Sequence, residues 1–231
     1  MTTSVQRPAA PAGYTAEFTT ADLDGRWRSP AAAEVFPGIH GIDDFWLRSP
    51  FWGIHFNSYS DPDCRGRLFE LIIMGTFQLG TRSAATPGAR DANFSRVKVA
   101  LSLHADALVE AANQAGAGDG DWKPGGWQDV TFGGCAPLDL PGIDTCPLEY
   151  DLLGLTPSGA EDGAGDLLWF GQRHHDELGS ICDRRAPGLL PYAVTRVVGA
   201  PPEVGHGADF GPADWTRLTS TTRTATLGGQ P

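Results

Sequence analysis

The 231-residue chain reads as an all-β protein, a single antiparallel β-barrel carrying one short α-helix. Three observations lead to that class. Gly and Pro contribute 30 and 18 residues, which suits many short strands joined by turns better than long helices. Aromatic and β-branched runs recur between turn-forming clusters, giving about eight strands at regular spacing. No internal repeat and no linker divides these runs into two cores, so residues 18–200 read as one barrel domain. Residues 1–17 read as a mobile arm and 201–231 as a tail with only Phe210 and Trp215 able to pack.

The strands follow in order. Gly25-Arg26-Trp27 heads the first, where Gly permits a tight backbone approach and Trp plugs one end of the core. Phe45–Arg48 forms a second strand, and Ser49-Pro50 breaks it. Phe51–Ser60 and Arg67–Leu79 then flank the polar turn Asp61–Gly66 as a hairpin. In the first arm Trp52, Ile54, Phe56 and Ser58 point one way, and Phe51, His55, Asn57 and Tyr59 the other. In the second, Phe69, Leu71, Ile73, Phe77 and Leu79 share a face, while Leu68, Ile72 and Met74 on the opposite face are interrupted by Glu70. A strand apolar on both sides belongs where both sides are covered, as in a barrel with something packed outside it.

Asp91–Leu103 is the next strand, with Phe94, Arg96 and Lys98 alternating against Ser95, Val97, Val99, Leu101 and Leu103. His104–Gln114 is the one helix, Ala-rich, with Leu108, Ala111 and Ala112 on one side and Gly residues stopping it. Strands resume at 127–132, 148–155, 166–173 and 192–198, separated by Gly-, Pro- and Asp-rich loops.

Composition excludes several functions. A net charge of −11 argues against nucleic acid or an anionic membrane surface as partner, because phosphate binding needs a basic footprint. No run reaches the roughly 20 apolar residues of a membrane span. Met1–Pro11 lacks the apolar core of a signal peptide, so a cytoplasmic protein without a membrane anchor is expected. In that compartment the four cysteines, Cys64, Cys135, Cys146 and Cys182, would be reduced. A Cys135–Cys146 bridge across its short loop is the alternative, set against ordinary buried or surface thiols. There is no CxxC and no Cys/His spacing of a zinc site, so no metal is expected. The absence of a phosphate loop, a dinucleotide fingerprint and a Gly-x-Ser-x-Gly elbow points to chemistry without a cofactor.

Several local strings recur in a familiar order: Gly25-x-Trp27, Tyr59-Ser60-Asp61-Pro62-x-Cys64, Gly120-x-Trp122 with Gln128–Thr131, Gly134-Cys135, Glu149-Tyr150 and Gly171-Gln172-Arg173. Gly25-x-Trp27 alone resembles the opening motif of lipocalins. Together, over roughly residues 23 to 195, the strings resemble the adenomatosis polyposis coli down-regulated (APCDD) domain, found in membrane-anchored Wnt-pathway inhibitors. That resemblance implies a lipocalin-like, partly open antiparallel barrel with an apolar cavity for a lipid chain. The chain departs from the pattern where that family carries cysteines, having Ala31–Glu34 and Gly116–Gly118 instead. With no signal peptide, membrane anchor or second copy of the domain expected, a role in Wnt inhibition is not carried over.

The candidate site residues follow from the alternation. Glu70, if its face is the cavity, would have a raised pKa and serve as a base, and His55 and Tyr59 would share acid/base work. Trp52 and Phe56 would shape a substrate, with Trp46 and Trp127 as further aromatic walls, while Arg48 or Arg96 would hold developing negative charge. These groups cannot all face inward, and the register decides which do. Asp43 and Asp44 point to opposite faces, Arg173 is placed against Trp27, and His174–Glu177 reads as a solvated loop. The leading expectation is a calycin-like barrel that binds a hydrophobic small molecule and catalyses a cofactor-free isomerisation, cyclisation or elimination in secondary metabolism. The alternatives are a non-catalytic carrier or sequestering protein for a lipid or metabolite, and an interaction module with a filled barrel and a large apolar patch, with a homodimer as a further arrangement.

Overall fold

A computed structural model describes residues 13–161, 163–172 and 182–198. Eight antiparallel strands close into a ring: β3 (Ile39–Arg48), β4 (Phe51–Tyr59), β5 (Arg67–Arg82), β6 (Arg90–Ser95), β9 (Leu148–Thr156), β10 (Leu167–Phe170), β11 (Val194–Val197) and β1 (Gly25–Arg28), which pairs back to β3. Closure removes the sheet edges, so every strand of the ring has two partners. This is the single all-β, lipocalin-like barrel expected. Among the described residues its one multi-turn helix is α2 (Asp106–Ala115), which ends on Gly116 in the left-handed conformation (φ 63°). The helix buries Val109 and Ala112, one step round from the expected Leu108, Ala111 and Ala112 face.

Among the described residues three short strands lie outside the ring. β2 (Ala33–Phe36) pairs with the start of β3, β7 (Lys98–Leu103) pairs with the first half of β5, and β8 (Trp127–Asp129) pairs with β7. β6 and β7 are one strand interrupted by a bulge, because Gly75 and Thr76 of β5 face Ser95, Arg96 and Val97. A Cβ on Gly75 would stand 1.7 Å from the Ser95 carbonyl oxygen, so the bulge requires glycine there. Trp52 Nε1 donates to that same carbonyl at 2.8 Å, and Ser95 Oγ lies 2.7 Å from Thr76 Oγ1. The unbroken alternation expected through Asp91–Leu103 therefore slips by one residue: Phe94 and Leu101 both face inward.

One end of the barrel is plugged. Trp27 is fully buried and donates its indole N–H to the Leu23 carbonyl at 2.8 Å, from a one-turn helix α1 (Thr20–Leu23). The guanidinium stacked on it, 4.1 Å from the ring centroid, belongs to Arg196. Arg173, expected in that place, lies outside the described residues, as do His174–Glu177, Phe210 and Trp215. Residues 13–17, read from sequence as part of the arm, lie against the barrel: Thr15 donates to the Leu155 carbonyl at 2.7 Å and Ala16 is buried.

Cys146 is bonded to Cys182, while Cys64 and Cys135 are free. This replaces both the expected reduced thiols and the Cys135–Cys146 alternative. Cys135 is buried within the core cluster beside Leu140, which keeps its sulfur away from the surface. No helix among the described residues is long and apolar enough to cross a membrane.

Candidate functional site

The barrel holds a cavity of about 450 Å³, lined in part by Phe45, the cross-strand partner of Trp27. The strand alternation dictates its wall. Trp52, Ile54 and Phe56 enter from β4, Phe69, Leu71 and Ile73 from β5, Phe94 from β6 and Phe170 from β10. Phe45 and Phe170 stack with centroids 4.1 Å apart, and Trp52 meets Phe94 edge-on at 4.9 Å. The ring does not supply the whole wall. Where β8 gives way to β9 along the β6–β7 edge, Leu108 of α2 and Pro137 and Leu138 of a 3-10 turn (Ala136–Leu138) fill in. Val35 and Phe36 of β2 and Leu190–Tyr192 complete the wall.

Polar groups enter on β9. Glu149 and Asp151 alternate with Tyr150 and Leu152 and share the inward face with fully buried Leu153. Asp151 Oδ1 accepts the backbone N–H groups of Leu152 (2.7 Å) and Gly171 (2.8 Å). Glu149 has the Arg96 guanidinium 3.9 Å away, with both side chains buried. Arg96 itself sits in the bulge and donates to the carbonyl of Cys146 through Nε (2.9 Å) and Nη2.

Of the residues expected to form a site, Trp52 and Phe56 line the cavity. Glu70, His55 and Tyr59 belong to the outward face, because register pairs Asn57 with Glu70 and His55 with Ile72, opposite in phase to the inward residues. There they form a polar cluster: Glu70 accepts from His55 Nε2 at 2.8 Å, His104 Nε2 at 2.9 Å and Arg67 Nη1 at 2.7 Å. The His55 hydrogen bond, outweighing the opposing effect of burial and joined by the charge of Arg67, holds the Glu70 carboxyl down at about 2, against an ordinary 4.5. That is a firmly ionised acceptor and not the raised, proton-holding group a cavity position would have produced. Each imidazole must then carry its proton on Nε2. Tyr59 lies at the strand end beneath the Arg67 guanidinium, 5.9 Å from its ring centroid.

The remaining candidates are dispersed. Trp127 packs outside, its ring 6.1 Å from that of His55. Trp46 lies under Arg26 on the outer face, and Arg48 is exposed at the β3–β4 turn. Arg96 is buried behind the wall, where it serves the bulge and Glu149. Asp44 pairs with Arg26 (Nε to Oδ1 2.7 Å), while the Asp43 carboxylate turns to Ser29 Oγ at 3.4 Å. Among the described residues no group of three or more His, Cys, Asp or Glu side chains is arranged to hold a metal ion.

Sequence reasoning missed Glu149 and Asp151 as wall residues. The signal was present in Glu149, Asp151, Leu153 and Leu155 at alternate positions, two carboxylates sharing a face with two core leucines. Against models of known protein families, the chain matches none.

Proposed function

We propose that the barrel is a binding protein for an apolar small molecule, which it carries or sequesters in the cavity. The observation that supports this is the cavity itself: about 450 Å³ within an aromatic and aliphatic wall, inside the roughly 300–1,000 Å³ range of small-molecule sites. A molecule placed there exchanges hydrating water for contact with Trp52, Phe56, Phe69 and Phe94, a gain of about 25 cal/mol for each Å² of apolar surface buried. The resemblance of motif order to the APCDD domain supports the same reading, since it implies a cavity for a lipid chain.

A second reading, a cofactor-free isomerase, cyclase or lyase of secondary metabolism, draws on Glu149 and Asp151. They are carboxylates on a largely apolar wall, where positioning and one proton transfer can lower a barrier. On that reading they replace Glu70, His55 and Tyr59 as the acid/base groups.

Native mass spectrometry of protein purified from its own host tests the binding reading. A co-purifying small molecule, lost when Leu71→Trp fills the cavity, is the expected result. A chain that emerges empty and binds no apolar probe overturns both readings. Conversion of the bound molecule by the wild type but not by Asp151→Asn would favour the enzyme.

A further inference from the structure

One polar side chain of the cavity wall has no partner within the protein, and on the binding reading above it is left for the ligand. The other polar side chains of the lining are engaged. Glu34 Oε1 accepts the Gly38 N–H at 2.9 Å, Asp151 accepts those of Leu152 and Gly171, and Glu149 faces the Arg96 guanidinium. Trp52 donates its N–H to the Ser95 carbonyl, and Tyr192 takes part in an interaction of its own within the chain. Gln172 differs: among the described residues its half-buried carboxamide has no hydrogen-bond partner. Its direction is set by the backbone. Leu168 and Phe170 of β10 belong to the main core, while Trp169 between them packs in a second cluster with Leu152 and Leu189. The chain stays extended past β10, because Gly171 bridges Leu189 and the Gln172 N–H donates to the Gly188 carbonyl at 2.8 Å. Gln172 therefore shares the inward phase of Phe170. The β9–β10 register, with Phe170 opposite Leu153, sets Gln172 opposite Asp151 when continued by two residues.

A carboxamide carries two N–H donors and a carbonyl acceptor. A pure hydrocarbon lying over it would strip its water and return no hydrogen bond, which is the costly arrangement. A ligand hydroxyl can donate to several oxygens of this wall. A ligand carbonyl needs a donor, and no Lys, Arg or His is among the described lining residues, so it finds its N–H at Gln172. The geometry points to Gln172 as the hydrogen-bonding anchor of the chamber, and to an apolar molecule bearing a neutral carbonyl as the class of ligand that it selects.

The test uses the full chain loaded with the neutral fluorophore N-phenyl-1-naphthylamine at pH 7. The ketone 2-acetylnaphthalene and the hydrocarbon 2-ethylnaphthalene, which differ by a carbonyl in place of a methylene, are compared as displacing ligands. The alcohol 1-(2-naphthyl)ethanol is the hydroxyl control. Gln172→Met keeps the length of the side chain and Gln172→Leu its bulk, and both remove the N–H donors. In each variant the affinity for the ketone, taken relative to the hydrocarbon, should fall about three- to tenfold, the size of one net hydrogen bond, and that for the alcohol by less. A ketone-to-hydrocarbon ratio unmoved by the substitutions overturns the inference, as does a loss as large for the alcohol as for the ketone. Should one variant lose its fold by circular dichroism, the other decides alone. If the naphthalenes bind and the ratio holds, only this inference falls. If neither probe nor naphthalenes bind, the binding reading falls with it.

Discussion

His55 Nε2 and Glu70 Oε2 stand 2.8 Å apart on the outside of the barrel wall, joined across β4 and β5 and closed off by His104, the residue just past the end of β7. One carboxylate thereby ties two adjacent strands to the segment that follows β7. The cluster supports the wall from outside and makes no contact with the cavity interior, so its titration should register in stability and not in ligand binding.

The sign follows from the depressed carboxyl. Glu70 titrates at about 2 in the folded chain against an ordinary 4.5, so its contribution is complete above pH 4.5 and is lost as pH falls from there toward 2. Glu70→Gln should cost about 1.5–3 kcal/mol at pH 7, the range for hydrogen bonds to a charged group. The variant should also lose part of the acid-limb slope. Urea midpoints measured from pH 7 down to pH 2 check both, and an unaltered acid limb would contradict the assignment.

Phe94 is 3% exposed and packs against Trp52, Phe77 and Phe170. Phe94→Ala removes those contacts and enlarges the cavity, with an expected loss of about 3–5 kcal/mol. Thermal or chemical unfolding monitored by tryptophan emission measures it.

At the bulge the constraint is steric. Gly75→Ala drives a methyl group onto the Ser95 carbonyl, and the strand must shift or lose its register, at about 1–3 kcal/mol. Trp52→Phe keeps the aromatic wall but removes the indole donor to Ser95, at about 1 kcal/mol. Stability of the two variants, with hydrogen exchange of the Val97 amide that donates to Met74, separates the effects.

The Cys146–Cys182 bond spans 36 positions. Loop-closure entropy for that length amounts to about 3–4 kcal/mol, so reduction should lower the unfolding temperature by several degrees or more. Thiol titration of denatured, unreduced protein should find two free groups, Cys64 and Cys135. Four free thiols would contradict the pairing.

Much of the barrel was legible because alternation is a backbone property. The 51–79 hairpin and the grouping of Trp52, Ile54 and Phe56 on one face follow from period-two patterning, and the buried Trp27 from its Gly-x-Trp string. What alternation cannot supply is which face closes inward. Glu70 and His55 were the conspicuous polar residues of that hairpin, and they prove to lie on its outer side. The slip at Ser95–Val97 was invisible because both faces of the run keep plausible residues across it, and only pairing with β5 exposes the extra position. β2 was overlooked for its brevity, although Pro37-Gly38 between Phe36 and Ile39 is a turn signal. The Cys146–Cys182 pairing joins positions brought together only by the finished fold.

The outer edge of the β6–β7 strand passes from β9 to β8, and α2 with the 3-10 turn occupies the interval. The barrel thus divides its labour between a frame and an insert. Glu149 and Asp151 ride on the frame, where moving them would mean rebuilding β9 against β6 and β10. Leu108 and Leu138 belong to the insert, where exchanging one side chain for a larger or smaller one resizes the chamber and leaves the ring's ladder whole. The girth of the chamber is thus adjustable through the insert, whereas the placing of its two β9 carboxylates is fixed by the frame.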